Sequence, residues 1–107
     1  MLFYAKHPTL LLKIKMAYMY ILECAGNRLY VGSTKSLDKR YAQHQSGEGS
    51  KFTTRYPPIR IAYYEEFLRV SDAFYREHQI KNWSRKKKLA LINSEKSSLV
   101  VLAKKGF

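Results

Sequence analysis

Cysteine occurs once in the 107 residues, at Cys24. A single thiol excludes an internal disulfide framework and any zinc site built on several cysteines. It fits a chain kept in a reducing interior, so the expected location is the cytoplasm. Acid is scarce as well: eight Asp and Glu stand against twenty Lys and Arg. Two-metal hydrolases need several carboxylates converging on one point, and the adjacent Glu65 and Glu66 lie in a strand-like run, where neighbours face opposite ways. The patterns H-E-x-x-H, G-x-S-x-G and G-x-x-x-x-G-K are all missing, which removes zincin, α/β-hydrolase and phosphate-loop chemistry. No run approaches the roughly 20 apolar residues of a membrane-spanning helix. The opening MLFYAKHPTLLLKIK is broken by Lys6, His7, Pro8 and Lys13 and does not read as a secretory signal. Internal repeats and low-complexity tracts are absent too.

What is present suffices for one core: 46% of residues are hydrophobic and 14% aromatic. The net charge of +12 is a surplus that repels itself unless an anion offsets it. Nucleic acid is the first such partner, since each Lys or Arg on a phosphate releases counterions whatever the base sequence. A membrane surface is the second, but the basic stretch Arg85 to Lys88 has no interleaved apolar anchors, so no membrane partner is expected. Met16 stands directly before the first strand pattern. Residues 16–107 are therefore read as one domain and 1–15 either as an extension outside the true start or as an ordered N-terminal element.

Tyr18 to Glu23 and Arg28 to Gly32 are short, aromatic and β-branched, and they predict a hairpin. A helix is expected over about 37–46, with Leu37, Tyr41 and Gln45 at helical spacing after Ser36. A loop follows to Pro58, then a strand from Ile59 to Phe67, a helix over about 72–82, and another after Ser84 that turns Leu89 and Ile92 inward as far as about Asn93. Leu99 to Ala103 reads equally as an edge strand or a helix end. This order describes an α+β fold, a small, mainly antiparallel three-stranded sheet with helices packed on it.

Three sets of residues ask for more than a structural role. Arg40 and His44, four apart, stack on one helix face, which is unfavourable for two cations unless an anion lies between them, although a solvated basic face is the alternative. Glu77 lies on or beside the stripe of Ala73, Phe74 and Ile80, where a carboxylate needs a partner, either a metal or Lys81 one turn on. Nine tyrosines, several in strands, are compatible with packing alone. One carboxylate, one metal, an arginine and tyrosine hydroxyls are what remains for chemistry.

Tyr20 followed by Ile21, then Tyr30-Val31-Gly32, then Arg40, His44 and Glu77 resemble the GIY-YIG nuclease domain in order and spacing over about Tyr18 to Ile92. Within that family the chain is most similar to small stand-alone bacterial proteins related to the N-terminal domain of the excision-repair nuclease. Tyr18 and Met19 replace Gly and Ile of the first motif, and Ser33 stands where the repair nuclease often has lysine. The resemblance implies a DNA endonuclease of repair or processing, with catalytic residues Tyr20, Tyr30, Arg40, His44 and Glu77. It implies Mg²⁺, with Mn²⁺ as a substitute, held by Glu77 plus waters and a phosphate oxygen. Arg40 would clamp the phosphate, His44 would orient the nucleophile, and either Tyr20 or Tyr30 would serve as base if cations lowered its pKa. Lys35, Lys39, Lys51, Arg55, Lys81, Arg85, Lys86, Lys87 and Lys88 would follow the DNA backbone, with Asn93 a candidate for a late family asparagine. The alternatives are a DNA- or RNA-binding module of the same fold without turnover, and an adaptor for an acidic protein.

Bringing both tyrosines to one site demands a hairpin register. A two-residue loop makes paired numbers sum to 53 and puts the rings on opposite faces, whereas the three-residue loop Ala25-Gly26-Asn27 makes the sum 52 and puts them on one. The three-residue loop, or an equivalently bulged turn, is expected, with Tyr20 and Tyr30 as diagonal neighbours facing Arg40 and Glu77.

Overall fold

A computed structural model describes residues 15–94. The expectations for residues 1–14 and for Leu99 to Ala103 lie outside them. The order is β1 (Ala17–Cys24), β2 (Arg28–Thr34), α1 (Leu37–Gln45), α2 (Lys51–Arg55), β3 (Pro58–Phe67) and α3 (Val70–Lys81), followed by α4 at 85–94. The three strands form one antiparallel sheet in the order β2-β1-β3. The fold is α+β, as expected. No helix among the described residues is long and apolar enough to cross a membrane.

Strand β1 is central, and its alternation builds two cores. Met19 and Ile21 point to one face, where Val31, Ala62, Tyr63, Ile80 and Ile92 join them beneath α3 and α4. Tyr20, Leu22 and Cys24 point to the other, with Tyr30, Leu37, Tyr41, Phe52 and Tyr56 beneath α1 and α2. Each fully buried Leu, Ile or Met contributes roughly 1.5–3 kcal/mol relative to exposure, so both faces hold the sheet in place.

The hairpin has the three-residue turn. Tyr20 pairs with Gly32, Leu22 with Tyr30 and Cys24 with Arg28. Gly26 (φ 74) and Asn27 (φ 58) both adopt the left-handed conformation, which glycine and asparagine tolerate best. The Ala25 N–H donates to the Pro57 carbonyl at 2.8 Å and ties the turn to the start of β3.

Three expectations need correction. The stretch expected as loop from Ser46 to Pro58 contains α2, a five-residue helix whose N-cap Ser50 accepts the Thr53 N–H. Gln45 is exposed, and His44 takes the buried position on α1. Phe74, placed on the inner stripe of α3, is 55% exposed, because the inward positions of that helix are Ala73, Glu77 and Ile80. Phe74 instead packs on His78 one turn along, ring centroids 4.1 Å apart. Boundaries otherwise shift little: α3 begins at Val70 rather than about residue 72, and Ser84 caps α4 by accepting the Lys87 N–H at 3.1 Å.

Candidate active site

The register brings Tyr20 and Tyr30 to one face with ring centroids 6.4 Å apart. His44 of α1 closes a triangle with them, 5.8 Å from the Tyr20 ring and 5.0 Å from Tyr30. The Tyr20 hydroxyl bonds to His44 Nε2 at 2.8 Å. It lies over the backbone of Gly32, its cross-strand partner, where a Cβ would come within 2.5 Å of the phenol oxygen. Glycine at this motif position is thus a space requirement.

His44 is wholly buried and its Nδ1 bonds to Thr53 Oγ1 at 2.7 Å. Burial, reinforced by the Arg40 charge, lowers its pKa to about 4. The ring is neutral at physiological pH, so Arg40 and His44 are not two stacked cations and no anion is needed between them. A Cβ on Gly49 would collide with His44 Nδ1, so a second glycine is required beside the imidazole.

Arg40 is half-buried. It donates from Nη1 to Gln43 Oε1 and from Nη2 to the Gly49 carbonyl, both at 2.9 Å, and it favours ionisation of the Tyr20 phenol. Burial nonetheless dominates at Tyr20, raising its pKa to about 12 against the lowering effect of Arg40. Tyr20 is 1% exposed and keeps its proton, so Arg40 by itself does not meet the condition set for a tyrosine base at this position.

Glu77 arrives from the other side of the sheet. Its Oε1 accepts from Ser33 Oγ at 2.5 Å, and Ser33 pairs with Met19, on the face opposite Tyr20. Its Oε2 takes an ion pair from Lys81 Nζ at 2.8 Å. The expectation that both tyrosines and Glu77 share one face is therefore wrong. Helix α3 packs on the Met19 face, and its carboxylate reaches the site at the β2 edge, close enough to oppose ionisation of Tyr20.

Glu65 and Glu66 face opposite ways: Glu65 takes two bonds from Arg76, at 2.8 and 3.0 Å, while Glu66 sits opposite Tyr18. Among the described residues no three His, Cys, Asp or Glu come together as metal ligands. The donor set at Glu77 fits a hard cation held by one carboxylate and otherwise by water and substrate. Lys81 is 47% exposed and has room to leave Oε2.

The basic residues divide into groups. Lys35, Lys39 and Arg40 line a hollow with Thr34, Ser36 and Gln43 beside the tyrosine face. Lys51 is exposed at the start of α2, and Arg55 leans on Tyr56 along with Arg28, at 5.6 and 4.3 Å from the ring centroid. Arg85 donates to Asn27 Oδ1 at the hairpin tip at 3.0 Å. Lys86, Lys87 and Lys88 lie on α4 over the Met19 face, Lys87 4.3 Å above the Trp83 ring. Lys81 is engaged with Glu77, and Asn93 is exposed near the end of α4. The sequence does not single out Ser33, Gly49, Ser50 or Thr53 as site residues. Small and hydroxyl residues leave no periodic trace, and only the proximity of Ser33 to the second motif points to it.

Residues 16–90 match the GIY-YIG catalytic domain. The chain belongs to the GIY-YIG family. A UPF0213 protein of Natronomonas pharaonis is 42% identical over 78 residues, 73% of this chain and 92% of the relative. One from Staphylococcus saprophyticus is 42% identical over 76 residues, covering 71% of this chain and 93% of the relative. The solution NMR structure of a UPF0213 protein from Bacillus halodurans is 36% identical, covers 73% of this chain and 83% of that one, and superposes with a TM-score of 0.48. GIY-YIG membership means a nuclease-type fold and a nucleic-acid substrate.

Proposed function

We propose that this GIY-YIG protein is a metal-dependent DNA endonuclease that hydrolyses phosphodiester bonds in repair or processing. The observation that carries this reading is the grouping of Tyr20, Tyr30 and His44, with Arg40 one turn before His44, on one face of the hairpin, while Glu77 is held from the other face by Ser33, the residue after Gly32. Arg40 has five N–H donors, of which the bonds to Gln43 and Gly49 use part, and the remainder suit two oxygens of a scissile phosphate. Those bonds hold the guanidinium in place before substrate arrives, so its attraction for the charge developing on phosphorus costs little reorganisation. Tyr20 is a buried, protonated support. The role of accepting the proton of the attacking water falls to the half-buried Tyr30, whose ring stacks edge-on to His44. Glu77 would hold Mg²⁺, or Mn²⁺ in its place. Such a bound ion supplies Lewis acidity at the phosphate and offsets charge on the departing 3′ oxygen. Lys35 and Lys39 flank the hollow beside Arg40 and extend the phosphate path.

One observation favours a second reading, a nucleic-acid-binding module without turnover: both Glu77 oxygens already have protein partners. Incubating the protein with duplex, flap, branched and single-stranded DNA and with structured RNA, with and without Mg²⁺, separates the two. Metal-dependent strand cleavage with multiple turnover is expected. Salt-sensitive binding to the same panel without a cut product would establish the module instead.

A further inference from the structure

Tyr20, His44 and Thr53 are 1% exposed or less, yet each carries a polar group into a cluster otherwise made of Leu22, Cys24 and aromatic rings. A buried hydroxyl or ring nitrogen without a partner costs about 1–3 kcal/mol, so donors and acceptors here have to match. Among the described residues they match in one direction. The Tyr20 hydroxyl has one acceptor within reach, His44 Nε2 at 2.8 Å. Arg40, whose charge acts on this phenol, carries no acceptor that could take the proton. Tyr20 keeps its proton and spends it on Nε2. A neutral imidazole that accepts at Nε2 carries its hydrogen on Nδ1, and Nδ1 faces Thr53 Oγ1 at 2.7 Å. Thr53 must accept, and its own proton passes to Ser50, whose Oγ lies at 2.9 Å and carbonyl at 3.4 Å. Ser50 Oγ in turn receives the Thr53 N–H at 3.1 Å, so the helix cap and the side-chain chain are one assembly.

We propose that Thr53 is a positioning residue of the site: its hydroxyl fixes His44 in the Nδ1–H tautomer, so that Nε2 holds the Tyr20 proton and keeps the phenol in place over Gly32. Without the Thr53 acceptor the imidazole hydrogen moves to Nε2 and is donated to the Tyr20 oxygen. The Tyr20 proton then loses its acceptor in the cluster, and the phenol loses the bond that holds it over Gly32. The catalytic consequence rests on the nuclease reading, but the tautomer does not.

The test uses the full chain labelled with ¹⁵N. Long-range ¹H–¹⁵N correlation of the His44 ring at neutral pH is expected to show hydrogen on Nδ1 and a bare Nε2. Thr53→Val, of similar shape, should shift hydrogen to Nε2 in whole or in part, and Thr53→Ser should preserve the original spectrum. On a cleaved DNA, Thr53→Val should lower kcat by about 10- to 100-fold, as loss of a supporting hydrogen bond typically does, with KM little changed and Thr53→Ser restoring the rate. Hydrogen on Nε2 in the unmutated protein overturns the proposal, as does a Thr53→Val spectrum identical to it. Should Thr53→Val not fold, the unmutated and Thr53→Ser spectra still decide. The expected tautomer in a chain that cuts nothing supports the action of Thr53 on His44 and overturns the nuclease reading.

Discussion

Position 32 is governed by its neighbour across the ladder, because the Tyr20 ring occupies the space a side chain would take. Gly32→Ala sets a methyl 2.5 Å from the phenol oxygen and 2.6 Å from Cζ, and the central strand leaves the ring nowhere to go. Overpacking of this kind costs about 1–3 kcal/mol. Urea unfolding should report a loss in that range together with disruption of the Tyr20–His44 bond, and an unchanged midpoint would show that the ring moves freely. Glu77 is the residue whose charge, rather than shape, matters. Glu77→Gln keeps the volume and a bond to Ser33 but releases Lys81, so cleavage should vanish while DNA affinity holds or rises slightly. Undiminished nicking in Mg²⁺ would rule out a one-carboxylate site. Arg40, His44 and Glu77 stand out in the sequence as unusual charge at helical spacing, whereas Tyr20 and Tyr30 are picked out only by the resemblance to the GIY-YIG motifs. The sequence does not reveal that His44 is neutral or that Tyr20 holds its proton, because both follow from burial by residues far along the chain.

Helices α2 and α4 show what sequence pattern discloses about an element. Ser84 followed by Leu89 and Ile92 predicts α4 well, for ten residues give the apolar spacing room to repeat. Five residues do not, and the α2 segment reads as loop in sequence even though its cap residue, Ser50, is in plain view. The basic side of α4 is testable as a unit. Replacing Lys86, Lys87 and Lys88 with Ala should weaken binding to all DNA sequences alike and reduce the slope of log affinity against log salt by about two to three. The lower figure applies if Lys87 stays on Trp83 rather than reaching phosphate. An unaltered slope would take α4 off the DNA and leave the backbone path to Lys35, Lys39 and the arginines around Tyr56.

For the molecule as a whole, a neutral histidine in the interior makes stability depend on acidity. Unfolded, His44 titrates near its ordinary 6.5; folded, it titrates near 4. Between those values only the unfolded chain takes up the proton, so stability is full above about 6.5 and falls as the pH drops toward 4. The loss is on the order of 3 kcal/mol by linkage. The surplus of +12 adds self-repulsion as carboxylates neutralise, but roughly 0.5 M salt screens that and leaves a buried ring untouched. Denaturant midpoints measured from pH 7 to 4 in such salt should therefore still decline, most steeply above the range in which exposed carboxylates titrate. A flat profile would mean that the imidazole gains solvent in the folded state. The α+β class and the hairpin register were legible from the strand patterns and the turn, whereas the strand order β2-β1-β3 and the two-sided core emerge only from the packing. The arrival of Glu77 from the far face was not legible either, because linear spacing does not tell on which side of a sheet a later helix packs.

The turn at Ala25-Gly26-Asn27 also constrains how this chain can change length over generations. A codon gained or lost there moves the pairing by one step and sends Tyr20 and Tyr30 to opposite sides of the sheet, even though every residue of both strands survives. The Ser46–Ser50 connection lies outside the ladder, so an added residue there leaves the strands in step and disturbs local bonds, among them Glu48 N–H to the Gln43 carbonyl and the Thr54 hydroxyl to the Gly47 carbonyl. Deletion and insertion scanning should find the hairpin tip closed to single-residue changes in length and the second connection open on its Gly47-Glu48 side, a pattern of tolerance set by parity rather than by exposure.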